Sequence, residues 1–128
     1  MSYYLGKVLA LGFDESVLRV TEALKREGFG IITEIDVKAT LKHEINVEFR
    51  PYRILGACNP ALAYEALQLE DKVGTMLPCN VVVQELAPGR VEVAAVDPVA
   101  SMMAIENPLL LEKAAFVRAK LEGAIASL

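Results

Sequence analysis

Val81-Val-Val-Gln-Glu-Leu-Ala-Pro-Gly-Arg-Val-Glu-Val-Ala-Ala-Val96 decides the fold of this chain. Two runs rich in β-branched residues flank Ala87-Pro-Gly-Arg90, whose Pro and Gly take the central places of a type II turn, so the segment reads as an antiparallel hairpin. Leu77-Pro-Cys-Asn80 leads into its first strand. Upstream, Val47 to Ala57 reads as another strand, with Pro51 near its start where a missing amide is tolerated, and Asn59-Pro60 opens a short helix near 61–68 by cap and fixed φ. The stretch from Glu70 to Leu77 then reads as extended chain. Eight such residues reach about 26 to 29 Å, enough to return to the sheet end just left and make neighbours of Cys58 and Cys79.

Toward the N-terminus, Tyr3 to Leu11 alternates as a first strand, and Asp14 is placed to cap a helix over 15–27 that Gly28 stops. Phe29 to Asp36 is a second strand rich in β-branched residues. Asp36 caps the next helix, on which Val37, Leu41 and Ile45 form one apolar stripe and which Asn46 ends. Toward the C-terminus, Asp97-Pro98 and Asn107-Pro108 repeat the cap-then-proline device, giving a helical turn over 99–104 and a long final helix with Leu110, Ala114, Val117, Leu121 and Ile125 on its core stripe. Antiparallel strands with the helices gathered on one face make the fold class α+β, in one domain over 1–128 without repeats or composition breaks.

The composition narrows the function classes. A net charge of −4 with no local Lys/Arg cluster offers no field for a polyanion, which argues against nucleic acid and anionic membrane as partners. No apolar run approaches the ~20 residues of a membrane span, and Met-Ser-Tyr-Tyr-Leu5 is no signal peptide, so a cytoplasmic location is expected. Two cysteines in a reducing compartment are expected as free thiols. Leu109 and Phe116 fall off the core stripe of the last helix and offer a flank for a second subunit, so a homodimer is expected.

Chemistry concentrates in two boxes, Ile54-Leu-Gly-Ala-Cys-Asn-Pro60 and Leu77-Pro-Cys-Asn-Val-Val-Val83, which hold both cysteines. Cys58 precedes a helix start, where unpaired amides favour a thiolate, yet its apolar surroundings oppose ionisation. Cys79 lies 21 positions away, a spacing that matches no Cys-x-x-Cys redox or zinc signature. Two thiols and one His do not make a zinc site within one chain, so no metal is assigned. Thiolate with thioether does suit Cu(I), and Met76, Met102 and Met103 fall beside strand ends, although gap-filling in a core is the more ordinary use of methionine.

Asn59 and Asn80 read first as a cap and a turn-stabilising amide, and second as ligand-orienting groups. His43 is the only imidazole available for a Cys-His couple, and its helix position is exposed. Glu34 and Asp36, two apart on a strand, share a face as paired carboxylates could, but Asp36 already has a capping role. Gly28-Phe-Gly30 joins helix to strand, the reverse of a phosphate-binding loop. Ser16, Ser101 and Ser127 lack nucleophile-elbow context.

Glu27-Gly-Phe-Gly30 leading to Thr33-Glu-Ile-Asp36, then Tyr52-Arg-Ile-Leu-Gly-Ala-Cys-Asn-Pro60, Leu77-Pro-Cys-Asn-Val-Val-Val83 and Asp97-Pro98 resemble the pattern of domain of unknown function family 302, over nearly the whole chain. The resemblance implies a fold similar to the TATA-binding-protein class, a curved antiparallel sheet under helices, with dimers among its members. It implies no agreed activity and no cofactor. In that resemblance many relatives carry His where this chain has Tyr64, so a shared Cys-His site is not implied for it.

The functional expectation is a non-enzymatic domain that binds a small ligand or soft metal where Cys58, Asn59, Cys79, Asn80 and the Asp97 turn converge at one sheet end. Its rivals are a thiol-dependent enzyme using Cys58, in redox or sulfur transfer, and an interaction module whose cysteines only pack.

Overall fold

The computed structural model describes residues 2–128. Five strands, β1 (Tyr4–Leu9), β2 (Gly30–Asp36), β3 (Tyr52–Cys58), β4 (Cys79–Ala87) and β5 (Arg90–Val96), form one sheet. All neighbours are antiparallel, in the order β1-β5-β4-β3-β2. The hairpin of β4 and β5 sits at the centre, with Gly89 at φ 73° supplying the left-handed residue of its turn. Five α-helices occur among the described residues: α1 (Phe13–Arg26), α2 (Val37–Ile45), α3 (Pro60–Leu69), α4 (Pro98–Ser101) and α5 (Pro108–Ala126).

Alternation, interrupted by irregularities between Ile31 and Thr33 and between Glu85 and Ala87, divides the sheet into two faces. Val81, Val83, Val91, Val93 and Ala95 are fully buried and meet Val20, Leu24, Leu121 and Ala124 of α1 and α5 in the main core. Each such aliphatic side chain removed from water contributes about 1.5–3 kcal/mol before entropy is counted, so this interface fixes which side of the sheet carries helices. A second, smaller core joins Ala66 of α3, Val73, Met102 after α4, and Leu110 and Ala114 of α5.

Caps place most helix starts where the sequence puts them. Asp36, Asn59, Asp97 and Asn107 each accept a backbone N–H from the first turn of α2, α3, α4 and α5. Asn46 ends α2 in the left-handed conformation and Gly28 follows α1 at φ 90°. Asp14 is a correction: α1 begins one residue before it, at Phe13, with Gly12 as an N-cap that makes no side-chain bond. Asp14 lies inside the first turn, where a carboxylate still favours the helix dipole.

The link from 70 to 77 also differs from its extended reading. Residues Asp71–Met76 form a 3-10 helix. The ten residues of α3 carry the chain about 15 Å from the sheet end, and six residues of 3-10 helix return it about 12 Å, so a compact return suffices. Strand β3 starts later than expected, at Tyr52, and residues 47–51 are irregular.

Gly56 is the tightest point of the sheet. A Cβ there would lie 2.0 Å from Thr33 Oγ1 on β2 and 2.7 Å from Pro78 Cγ. Gly30 has nothing within 4 Å of the equivalent position. Gly56→Ala is therefore expected to lower unfolding stability by about 1–3 kcal/mol in denaturant titration, whereas Gly30→Ala leaves it nearly unchanged.

Candidate functional site

The antiparallel pairing of β3 and β4 puts Ala57 opposite Cys79. Cys79 takes the helix-facing side of β4 and is buried. Cys58, the last residue of β3, stands where the chain leaves the sheet for α3, and it remains half-buried. Both side chains line a hollow closed by α3, α5 and the Leu77–Pro78 segment, whose peptide bond is cis. The stretch from 70 to 77 does bring Cys58 and Cys79 together.

The hollow holds about 40 Å³ of space open to water-sized groups, room for about three waters or a few heavy atoms. Its walls are almost wholly apolar, from Phe29, Leu62, Ala63, Leu110 and Val117 among others. The polar exceptions are the two thiols, Asn59 and Lys113. Met102 adds a thioether. Lys113 Nζ lies 3.1 Å from Glu65 on α3, an exposed pair across the rim.

Burial pushes the Cys79 thiol up to about 11, helped by the charge that Cys58 would carry so near to it. Cys79 is therefore protonated at neutral pH, and a negative charge enters this hollow only with a compensating cation. Among the described residues, no carboxylate or imidazole lines the hollow to act as a base for either thiol. His43 is no candidate: it is exposed on α2, beside Glu44. Asp36 at the start of α2 pairs with Arg53 near the beginning of β3, so about 15–20 Å of strand separates it from Cys58.

Asn59 plays both parts given to it. Its Oδ1 accepts from Leu62 N at 3.2 Å to cap α3, and the side chain also lines the hollow. Gly28 makes room for this amide, since a Cβ there would sit 2.9 Å from Asn59 Nδ2.

Two of the five proposed site residues lie elsewhere. Asn80 follows Cys79 on β4, so alternation turns it to the other face of the sheet, where it lines a shallow groove with Tyr52 and Val96. Asp97 does not reach the hollow, although its neighbour Pro98 does. Its carboxylate caps α4 through Val99 N and Ala100 N and accepts from Arg118 Nε at 3.0 Å. Burial works against its charge, but Arg118 and the two amides outweigh that and hold the carboxyl below its ordinary value.

Of Met76, Met102 and Met103, only Met102 lines the hollow; Met76 packs against the second core and Met103 is exposed. Tyr64 is exposed too, its hydroxyl accepting from Gln68. Glu34 is engaged by Arg53 at 3.0 Å and Asp36 by Ala39 N, so the two carboxylates form no acid/base pair. Sequence reasoning missed Phe29, Leu62 and Lys113 as wall residues. The Lys113 signal was available in principle, as it sits on the core-facing stripe of α5 between Leu110 and Val117 at helical spacing. No group of three or more His, Cys, Asp or Glu placed to hold a metal ion occurs among the described residues. No helix among them is long and apolar enough to cross a membrane.

Two expectations follow. In alkylation with iodoacetamide at pH 8, Cys58 reacts first, and Cys79 reacts about a hundredfold more slowly than an ordinary thiol because its thiolate is that much rarer; equal rates would contradict the burial of Cys79. The Asp97 carboxylate stabilises the fold above the ordinary aspartate value and ceases to do so as pH falls below about 4. Asp97→Asn should cost under about 1 kcal/mol at pH 7, since Arg118 is well solvated, and should flatten the acid limb of a stability–pH curve.

Comparison with known proteins gives these features a setting. No curated protein matches the sequence. The crystal structure of an uncharacterised conserved protein from Bacillus stearothermophilus, itself of the DUF302 family, is similar with a TM-score of 0.91 at 28% identity, covering 98% of each chain. The family profile described as "Domain of unknown function DUF302" matches residues 6–128. With the profile spanning nearly its full length and the same sheet and helices in that relative, the chain belongs to the DUF302 family.

Proposed function

We propose that this protein is a non-catalytic binding domain whose hollow takes a small, largely apolar ligand between β3, β4, α3 and α5. The observation that carries this reading is the convergence of Cys58, Asn59 and Cys79, from sequence segments far apart, on one apolar space. A core packed only for stability leaves few voids above the size of a water. Here the void lies beside a half-buried thiol, with Asn59 and Lys113 as the groups able to orient an occupant. The lack of a carboxylate or imidazole among the described lining residues, with Lys113 held by Glu65, favours binding over thiol catalysis.

Met102 favours a second reading. Two thiols and a thioether on one small hollow match the ligand preference of a soft monovalent cation such as Cu(I), which would also stabilise the Cys79 thiolate that burial disfavours.

Xenon and Cu(I) separate the two. Xenon under pressure, followed by NMR, should perturb signals of Ala63, Ala66 and Ala114 and lose the effect in Ala63→Leu, which fills the space. Anaerobic Cu(I) titration against a chromophoric chelator should give one equivalent bound, weakened at least tenfold in Met102→Leu, if the second reading holds. Failure of both probes to bind overturns the proposal.

A further inference from the structure

The polar side chains of the hollow are nearly all hydrogen-bond donors. Asn59 Oδ1 is spent on Leu62 N, which leaves the Asn59 amide with its N–H groups to offer. Lys113 is a cation with three N–H donors, of which Glu65 takes one at 3.1 Å. Cys79 keeps its proton at neutral pH and offers an S–H. The first turn of α3, which lines the space through Asn59, Leu62 and Ala63, adds the positive end of a helix dipole. Against these donors stands the weak acceptor sulfur of Met102 and, among the described residues, no lining carboxylate.

We infer that the occupant of this hollow is a short-chain aliphatic carboxylate, its alkyl tail among the apolar walls and its carboxylate on Asn59 and Lys113. This rests on the proposed binding function and narrows it to one class of ligand.

Size limits the tail. The space of about 40 Å³ holds about three waters, and a methylene needs about the volume of one water, so a tail of about three carbons fills it. Charge selects the head group. A cationic ligand would meet Lys113 and the helix dipole with no lining carboxylate to neutralise it, whereas a carboxylate meets donors. The Lys113 side chain is 44% exposed, so a carboxylate bound to it keeps part of its hydration while the tail alone is fully desolvated. Glu65 works against an anion here, by competing for Lys113 and by its own charge. That competition is slight, because exposed ion pairs are weak and Lys113 has N–H groups to spare.

Sodium butyrate, 1-butanol and n-butylamine share four carbons and differ in the head group. Added to the full chain at pH 7, butyrate should shift the NMR methyl signals of Ala63, Ala66 and Ala114 saturably by about 10 mM, a range suited to a ligand of about six non-hydrogen atoms. It should bind about tenfold more tightly than 1-butanol, and butylamine should leave the signals unmoved. Lys113→Gln should remove that preference without changing 1-butanol binding, and Lys113→Arg, which keeps the charge, should retain it. Asn59→Asp keeps an oxygen for the cap but exchanges the donor for a negative charge, and should abolish butyrate binding. Glu65→Gln should tighten it. If xenon occupies the hollow while butyrate binds no better than 1-butanol, or Lys113→Gln leaves the preference intact, the carboxylate is overturned and the proposed function stands. If neither xenon nor any four-carbon probe binds, both fall together.

Discussion

The pairing of β3 with β4, with Ala57 opposite Cys79 and Gly56 opposite Asn80, is the constraint from which the rest of the molecule takes its orientation. A slip of one residue would turn Val81 and Val83 to the outer face and bring Asn80 and Val82 into the core. Gly56 pins that register from the other side, because Thr33 and Pro78 close over the place where any larger residue would put its Cβ. Cys79 is buried, and Cys58 stands at the rim, as consequences of this one alignment. The chemistry of the hollow is thus inherited from strand pairing and not from a local motif.

This dependence explains what could be read from the sequence. The central hairpin was legible because Pro88-Gly89 and the β-branched runs on either side carry their own local signal. The caps were legible for the same reason: Asp36, Asn59, Asp97 and Asn107 each satisfy free amides within three residues. The path from 70 to 77 was not legible, since a 3-10 helix and an extended link of this composition differ mainly in what Val73 packs against. Asp14 misled because a carboxylate near a helix start suits the first turn, through the dipole, as well as the cap.

The site was half legible. Proximity of Cys58 and Cys79 followed from chain reach, but the faces of their neighbours needed the register. Asn80 was grouped with Cys79 because the two are adjacent in sequence, and in a strand adjacency means opposite faces. Asp97 was grouped with the boxes through its cap-and-proline turn, yet its carboxylate is taken by two amides and Arg118. Lys113 and Val117 enter the hollow from α5, some thirty residues from the second box, and only tertiary packing brings them there.

Arg118 stands one residue beyond Val117, a wall of the hollow, and its guanidinium is held both by Asp97 and, at 2.7 Å, by Glu122. Any outward swing of this part of α5 must stretch the link to Asp97, whereas the link to Glu122 travels with the helix. Breathing of the wall is thus tethered to the loop that starts α4, and the tether is electrostatic. Dissolved salt reaches Arg118 more readily than the sheltered Asp97, so the tether weakens as ionic strength rises.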